Sequence, residues 1–149
     1  MKQVAIVICN YNKIDYVLNC INSVKISSNE NYDIYVVDNA STDGSADAIK
    51  KEFGQSINLI VNNVNLGGSG GFNTGIKEAL KKDYKYVMLL DNDVILDKNA
   101  IQAAFEYMEE NSDVAVVGSK LYSMDITNQI QELGANIDFE NFYIKPNYR

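Results

Sequence analysis

Four short apolar runs, each ending abruptly in polar residues and followed by a helical pattern, constrain this chain more than any other feature. The run at Val4–Cys9 reads as a strand buried on both faces, and those at Ile34–Val37, Ile57–Val61 and Tyr86–Leu90 have the length and apolarity of further strands. A fifth strand is expected at Val114–Val117. Between the runs, apolar residues recur at helical spacing. Val17, Cys20, Ile21 and Val24 mark a helix over Ile14–Ser27, and a short helix over Ser45–Phe53 is expected to be capped by Ser45. Further helices carry Ile76, Ala79 and Leu80, and Ile101, Ala104, Phe105 and Met108. Strands alternating with helices predict an α/β fold, a mainly parallel central sheet with helices on both faces. The alternation stops near residue 120. The reading is therefore one α/β domain over 1–120, followed at 121–149 by the incomplete start of another region, with a hairpin around Gly134.

The length, 149 residues, suits a compact domain with its own core. A net charge of -7 argues against a nucleic-acid partner, because phosphate affinity rests on Lys and Arg. Phosphorylated small molecules remain compatible if a divalent cation intervenes. With two cysteines, no CxxC pair and no histidine, the common zinc sites are excluded. Cys9 and Cys20 read as small buried apolar residues in a reducing compartment. No secretory leader is visible and no run approaches the ~20 apolar residues of a membrane span. A cytoplasmic setting is expected, with contact at the inner membrane face only through regions outside this sequence.

In open α/β sheets ligands bind beyond the carboxyl ends of the strands. The polar residues gather there: Asn10, Tyr11 and Asn12 after the first strand, Asp38 and Asn39 after the second, Asn62 and Asn63 after the third, Asp91-Asn92-Asp93 after the fourth. Two carboxylates two residues apart can share one hard cation, Mg²⁺ or Mn²⁺, which completes its shell with water or phosphate oxygens. The same residues could form only a polar turn. Asp38 can accept hydrogen bonds from a ribose or a base edge, or can simply open an Asx-turn. Gly67 to Asn73 lies in a glycine-dense loop spanning Asn65 to Gly75, expected to run into a helix. Such a loop lets backbone approach a diphosphate at a helix start. It fits neither GxGxxG, since Asn73 stands at the third glycine, nor a Walker A loop. Tyr11 could stack on a base. Glu109-Glu110 reads as a solvated face, and Asp138 and Glu140 receive no role.

With those residues in order, the chain resembles the N-terminal part of the family 2 glycosyltransferases, which adopt the GT-A fold. The resemblance rests on VAIVICNYN (Val4–Asn12), VVDNASTDGS (Val36–Ser45), NLGGSGGFNTG (Asn65–Gly75) and LLDNDV (Leu89–Val94), and covers residues 1 to about 120. The glycine-rich element is most similar to the galactofuranosyl- and rhamnosyltransferase branches. The resemblance implies that Cys9, Asn10, Tyr11, Asn12, Asp38 and Asn39 hold the nucleotide base. It places Asn65, Gly67, Gly68 and Asn73 along the nucleotide and its diphosphate. Asp91 and Asn92 would approach the ribose or sugar, and Asp91 and Asp93 would hold the Mn²⁺ or Mg²⁺. It further implies inverting transfer from a UDP- or dTDP-sugar to a glycan or lipid-linked acceptor, in polysaccharide or glycolipid synthesis. In that family the base that activates the acceptor lies in the second half of the domain, so a piece of a longer domain without the catalytic base is expected.

Two other readings compete. One is a non-catalytic module that binds a nucleotide sugar without turnover. The other is a phosphatase of the haloacid dehalogenase type, which also uses DxD; there the motif follows the first strand, whereas here it follows the fourth and Ile95 stands where Thr or Val is expected. A receiver domain fits poorly, Lys120 being the only candidate for its lysine.

Overall fold

The structure, a computed structural model, describes residues 2–126, 129–141 and 143–147. The chain divides into two compact units, Met1–Asn99 and Ala100–Arg149. The division falls before the point, near 120, where the sequence pattern changes.

The first unit is built on four parallel strands, β1 (Val4–Asn10), β2 (Tyr32–Asp38), β3 (Asn58–Val61) and β4 (Tyr86–Asp91), in the order β3-β2-β1-β4. Between them run α1 (Ile14–Lys25), α2 (Ser45–Phe53), a 3-10 turn at Gly54–Ser56 and α3 (Gly67–Ala79). β1 is fully enclosed from Val4 to Ile8, as its unbroken apolar run requires. Alternation along β1 and β2 sends Ile6, Ile8, Ile34 and Val36 to one face of the sheet. The helices α1 and α2 bury Val17, Cys20, Ile21 and Val24, and Ile49 and Phe53. Ala5, Val7 and Tyr35 form the opposite face and pack with Ala79 of α3, with Phe72, Ile60 and Tyr84 at the border.

The α3 segment departs from the expected loop. It is helical from Gly67 onward, despite four further glycines at 68, 70, 71 and 75. Each glycine costs about 0.8–1 kcal/mol relative to alanine in a helix interior. The compensation is close packing. Gly71, Gly75 and Ala79 recur every four residues and are all buried on one stripe. A Cβ on Gly71 would lie 2.2 Å from Cys9 Sγ, and one on Gly75 would lie 2.3 Å from Val7 Cγ1. The glycines let the helix axis settle directly on β1 and β2.

Other expectations need correction. Ser45 is the first helical residue of α2, not its cap; Gly44 precedes it with φ 87°, and Asp43 Oδ1 accepts from the Ser45 amide at 3.0 Å and from its hydroxyl. No strand forms at Val114–Val117, and Val116 is 86% exposed. A β-branched run becomes a strand only beside a hydrogen-bonding neighbour, and none of the described strands pairs with it. The second unit holds α4 (Ala100–Glu110) and two small antiparallel pairs. β5 (Leu121–Tyr122) pairs with β6 (Ile130–Glu132), and β7 (Ala135–Asp138) with β8 (Tyr143–Pro146). Gly134, at φ 78°, therefore separates two pairs rather than turning a hairpin.

Candidate functional site

Parallel register brings the strand-end residues into one row. Asn10 stands opposite Asp38, Asp38 opposite Val61, and Cys9 opposite Asp91. After β3 the chain crosses back over β1 to place β4 on its other side. That reversal opens a crevice at the carboxyl end of the sheet. A cavity of about 210 Å³ lies there, lined by Cys9, Tyr11, Lys13, Asn39, Asn65, Gly67, Gly68, Phe72, Asp91 and Asn92. A larger depression, about 470 Å³, runs beside β3 past Tyr35, Asn58 and Lys81. It lacks the strand-end carboxylates, so the smaller cavity is the better candidate.

The floor of the cavity is a network of buried amides and one carboxylate. Asn10 Nδ2 donates to Asp38 Oδ2 at 3.2 Å and reaches Ser41 Oγ at 3.4 Å, while Asn10 Oδ1 accepts from Asn92 Nδ2 at 2.7 Å. Asp38, 1% exposed, also accepts from the Ser41 amide at 2.9 Å. Asn10 and Asp38 thus lie beneath the pocket lining. Asn12 adopts φ 51° and accepts from the Thr42 amide at 2.7 Å, tying the loop after β1 to the loop after β2. Asn73 is exposed on α3 and is not among the lining residues.

The DxD segment alternates. Asn92 turns inward, 8% exposed, and fastens the segment to β1, while Asp91 and Asp93 are exposed on either side. The Cys20 thiol donates to the Asp91 carbonyl at 3.5 Å and steadies the end of β4. Burial pushes the Cys20 thiol up to about 12. The Cys9 thiol is also raised, by burial first and then by the negative charges of Asp91 and Asp38. Lys13 Nζ donates to Asp93 Oδ2 at 2.7 Å, and that bond is the main reason its ammonium is held above its ordinary value. Among the described residues no group of three or more acidic, cysteine or histidine side chains could enclose a metal. Asp91 and Asp93 supply only hard oxygen donors, which suit Mg²⁺ or Mn²⁺ with much of the shell left to phosphate oxygens and water. The donor set therefore fits the expected ion.

Lys13 and Phe72 line the pocket but were not singled out from sequence. Lys13 follows the end of β1 by three residues. Phe72 lies one helical turn beyond Gly68, a relation visible only once α3 is known to begin at Gly67.

A parallel sheet with a polar crevice at its switch point, an acidic pair and a glycine-rich helix start defines a nucleotide-binding α/β domain. The family model described as Glycosyl transferase family 2 matches residues 5–148, and the chain belongs to that family. It is 30% identical over 122 residues to a poly(ribitol-phosphate) beta-glucosyltransferase of Bacillus spizizenii, matching 78% of this chain and 19% of that one. The fold is GT-A. It superimposes on S. aureus TarS 1-349 in complex with UDP-GlcNAc at TM-score 0.64 and 22% identity, over 89% of this chain and 40% of the other. A mannosyltransferase of Pyrobaculum calidifontis in complex with GDP-Man and Mn²⁺ gives TM-score 0.62 at 18% identity, over 71% and 32%. The chain thus spans about a fifth of the sequence relative and less than half of either solved chain.

Proposed function

We propose that this chain is the donor-binding part of an inverting, metal-assisted glycosyltransferase that takes a sugar from a UDP- or dTDP-sugar. The acceptor class is a glycan or a lipid-linked glycan, and the setting is the cytoplasm, at the inner face of a membrane. Among the described residues no helix is long and apolar enough to cross one. The observation that carries the reading is the shared rim: Asp91, Lys13 and the first turn of α3 line one cavity, with Asp93 bonded to Lys13.

Each part of the rim has a task in that reading. A base enters beside Tyr11, over the floor made by Asn10 and Asp38. The first turn of α3, whose amides lack intrahelical acceptors, faces the diphosphate. Asp91 and Asp93 hold the Mn²⁺ or Mg²⁺, which when bound offsets the charge gathering on the departing nucleoside diphosphate. Lys13 adds a positive charge on the same side. Nothing in the chain is assigned as the base that activates the acceptor.

Calorimetric titration of UDP, with and without Mn²⁺ and against dTDP and GDP, tests this. The expected result is binding that strengthens with Mn²⁺ and that Asp93→Ala weakens about tenfold or more, the scale of losing a charged ligand contact. Absence of nucleotide binding under every condition would overturn the proposal for this chain.

A further inference from the structure

Asn39 lines the cavity and follows Asp38 directly, so its side chain reads at first as a contact for the ligand. Its hydrogen bonds say otherwise. An asparagine side chain offers two N–H donors and an oxygen with two lone pairs. Asn39 Nδ2 donates to Asn65 Oδ1 at 2.8 Å and to the Gly67 carbonyl at 3.0 Å. Asn39 Oδ1 accepts from Asn62 Nδ2 at 3.0 Å and from the Leu66 amide at 3.1 Å. All four positions are filled, and the residue is 2% exposed. Its own amide donates to the Asn10 carbonyl at 2.8 Å, which fixes the backbone from which the side chain reaches out.

The partners of Asn39 share a purpose. Asn62 follows β3, while Asn65, Leu66 and Gly67 form the entry to α3. Asn65 Oδ1 additionally accepts from the Gly67 amide at 2.8 Å, so the two asparagines close a short chain of bonds around the first residue of the helix. Asn39 also lies against the helix itself: a Cβ on Gly71 would approach its Nδ2 to 3.4 Å. Neither strand β2 nor helix α3 fixes this entry by its own backbone hydrogen bonding, because Gly67 sits at φ 71° and the preceding residues are irregular.

We infer that Asn39 is a positioning residue: it clamps the entry of α3 to the ends of β2 and β3, and acts on the ligand only through the first turn of that helix. The inference rests on the proposed donor site for its functional consequence, but the clamp itself exists without ligand. A direct contact and a clamp predict different things. A direct contact would act independently of Asn65, so the two losses would add. A clamp is broken by either change, so the second costs little after the first.

The test uses the 149-residue chain and the variants Asn39→Ala, Asn39→Asp, Asn65→Ala and the double alanine variant. Amide hydrogen exchange in the absence of nucleotide is read first. Residues 66–70 are expected to exchange at least tenfold faster in Asn39→Ala and Asn65→Ala, with β1 amides unchanged. Asn39→Asp keeps the shape but sets a carboxylate oxygen against Asn65 Oδ1 and the Gly67 carbonyl, and is expected to match the alanine variant. Should the Asn39 variants fold poorly, the exposed Asn65→Ala reports on the same clamp. Affinity for UDP with Mn²⁺ is read second, where each single change is expected to cost about tenfold and the double variant no more than about twofold beyond that. Unchanged exchange at 66–70, or additive losses of affinity, would overturn the inference. If the unaltered chain binds no UDP, the donor-site reading fails while the exchange data still decide the clamp.

Discussion

At the residue scale, the acidic pair of the rim is not electrostatically open. Lys13 stands on Asp93, and both side chains are close to half exposed. A pair this accessible contributes about 0–1 kcal/mol, so a divalent cation can displace it. On the proposed reading, removing the ammonium should ease cation entry while taking a positive charge away from the diphosphate. Lys13→Met is therefore expected to bind free Mn²⁺ up to about fivefold more tightly, the limit set by that range. UDP affinity should fall in the same variant. Electron paramagnetic resonance of free Mn²⁺ and calorimetry with UDP read the two arms; affinities moving in the same direction would show that the lysine does not stand between the metal and its ligand.

At the element scale, α3 carries two kinds of glycine. Gly75 is pressed on Val7, and an added methyl has nowhere to go. Overpacking of this kind costs about 1–3 kcal/mol, more than the gain in helix propensity returns. Gly68 has nothing within 4 Å of a Cβ and lies in the first turn. Alanine there is expected to raise stability by a few tenths to about 1 kcal/mol by restricting the unfolded chain. Urea unfolding of Gly75→Ala and Gly68→Ala should thus give shifts of opposite sign. Two shifts of the same sign would contradict the packing described for this helix.

At the scale of the whole molecule, the proposed function requires a chain of net charge -7 to accept a polyanion. Without a divalent cation, long-range repulsion opposes the approach of UDP, and salt weakens that repulsion. The affinity for UDP without metal is expected to rise between roughly 10 and 150 mM salt, a span over which the screening length shortens from about 30 to 8 Å. With Mn²⁺ the dependence should flatten. Calorimetry at several salt concentrations checks both; a steep fall with salt in the absence of metal would mean that local cations outweigh the net charge.

Much of this was legible in the sequence, and the reasons for the rest are physical. β1 and β2 were readable because strands enclosed on both faces are nearly pure apolar runs, and β3 and β4 carry the same kind of run although Val61, Val87 and Leu89 are exposed. The rim was readable because a parallel sheet places every strand end on one side. Glycine composition hid the helical start of α3: propensity argues for a loop, and only the recurrence of Gly71, Gly75 and Ala79 on one stripe reveals a packed helix. Val114–Val117 misled for the opposite reason, since strand propensity without a partner makes no strand. Asn39 was found as a rim residue, but whether an amide faces a ligand or its own fold depends on four partners in the single segment from Asn62 to Gly67.

The register of β1 against its neighbours also determines where this sequence can lengthen or shorten. Cys9 and Asn10 face opposite sides of the sheet, the thiol toward Gly71 of α3 and the amide toward Asp38 and Asn92. Deleting one residue anywhere from Val4 to Ile8 would exchange them, setting a sulfur where an amide's hydrogen bonds are needed and an amide against a helix with no room for it. A change of length in a connection such as 62–66 leaves this alternation untouched. Among homologous sequences, gaps should therefore crowd into the connections and be absent from the seven residues of β1.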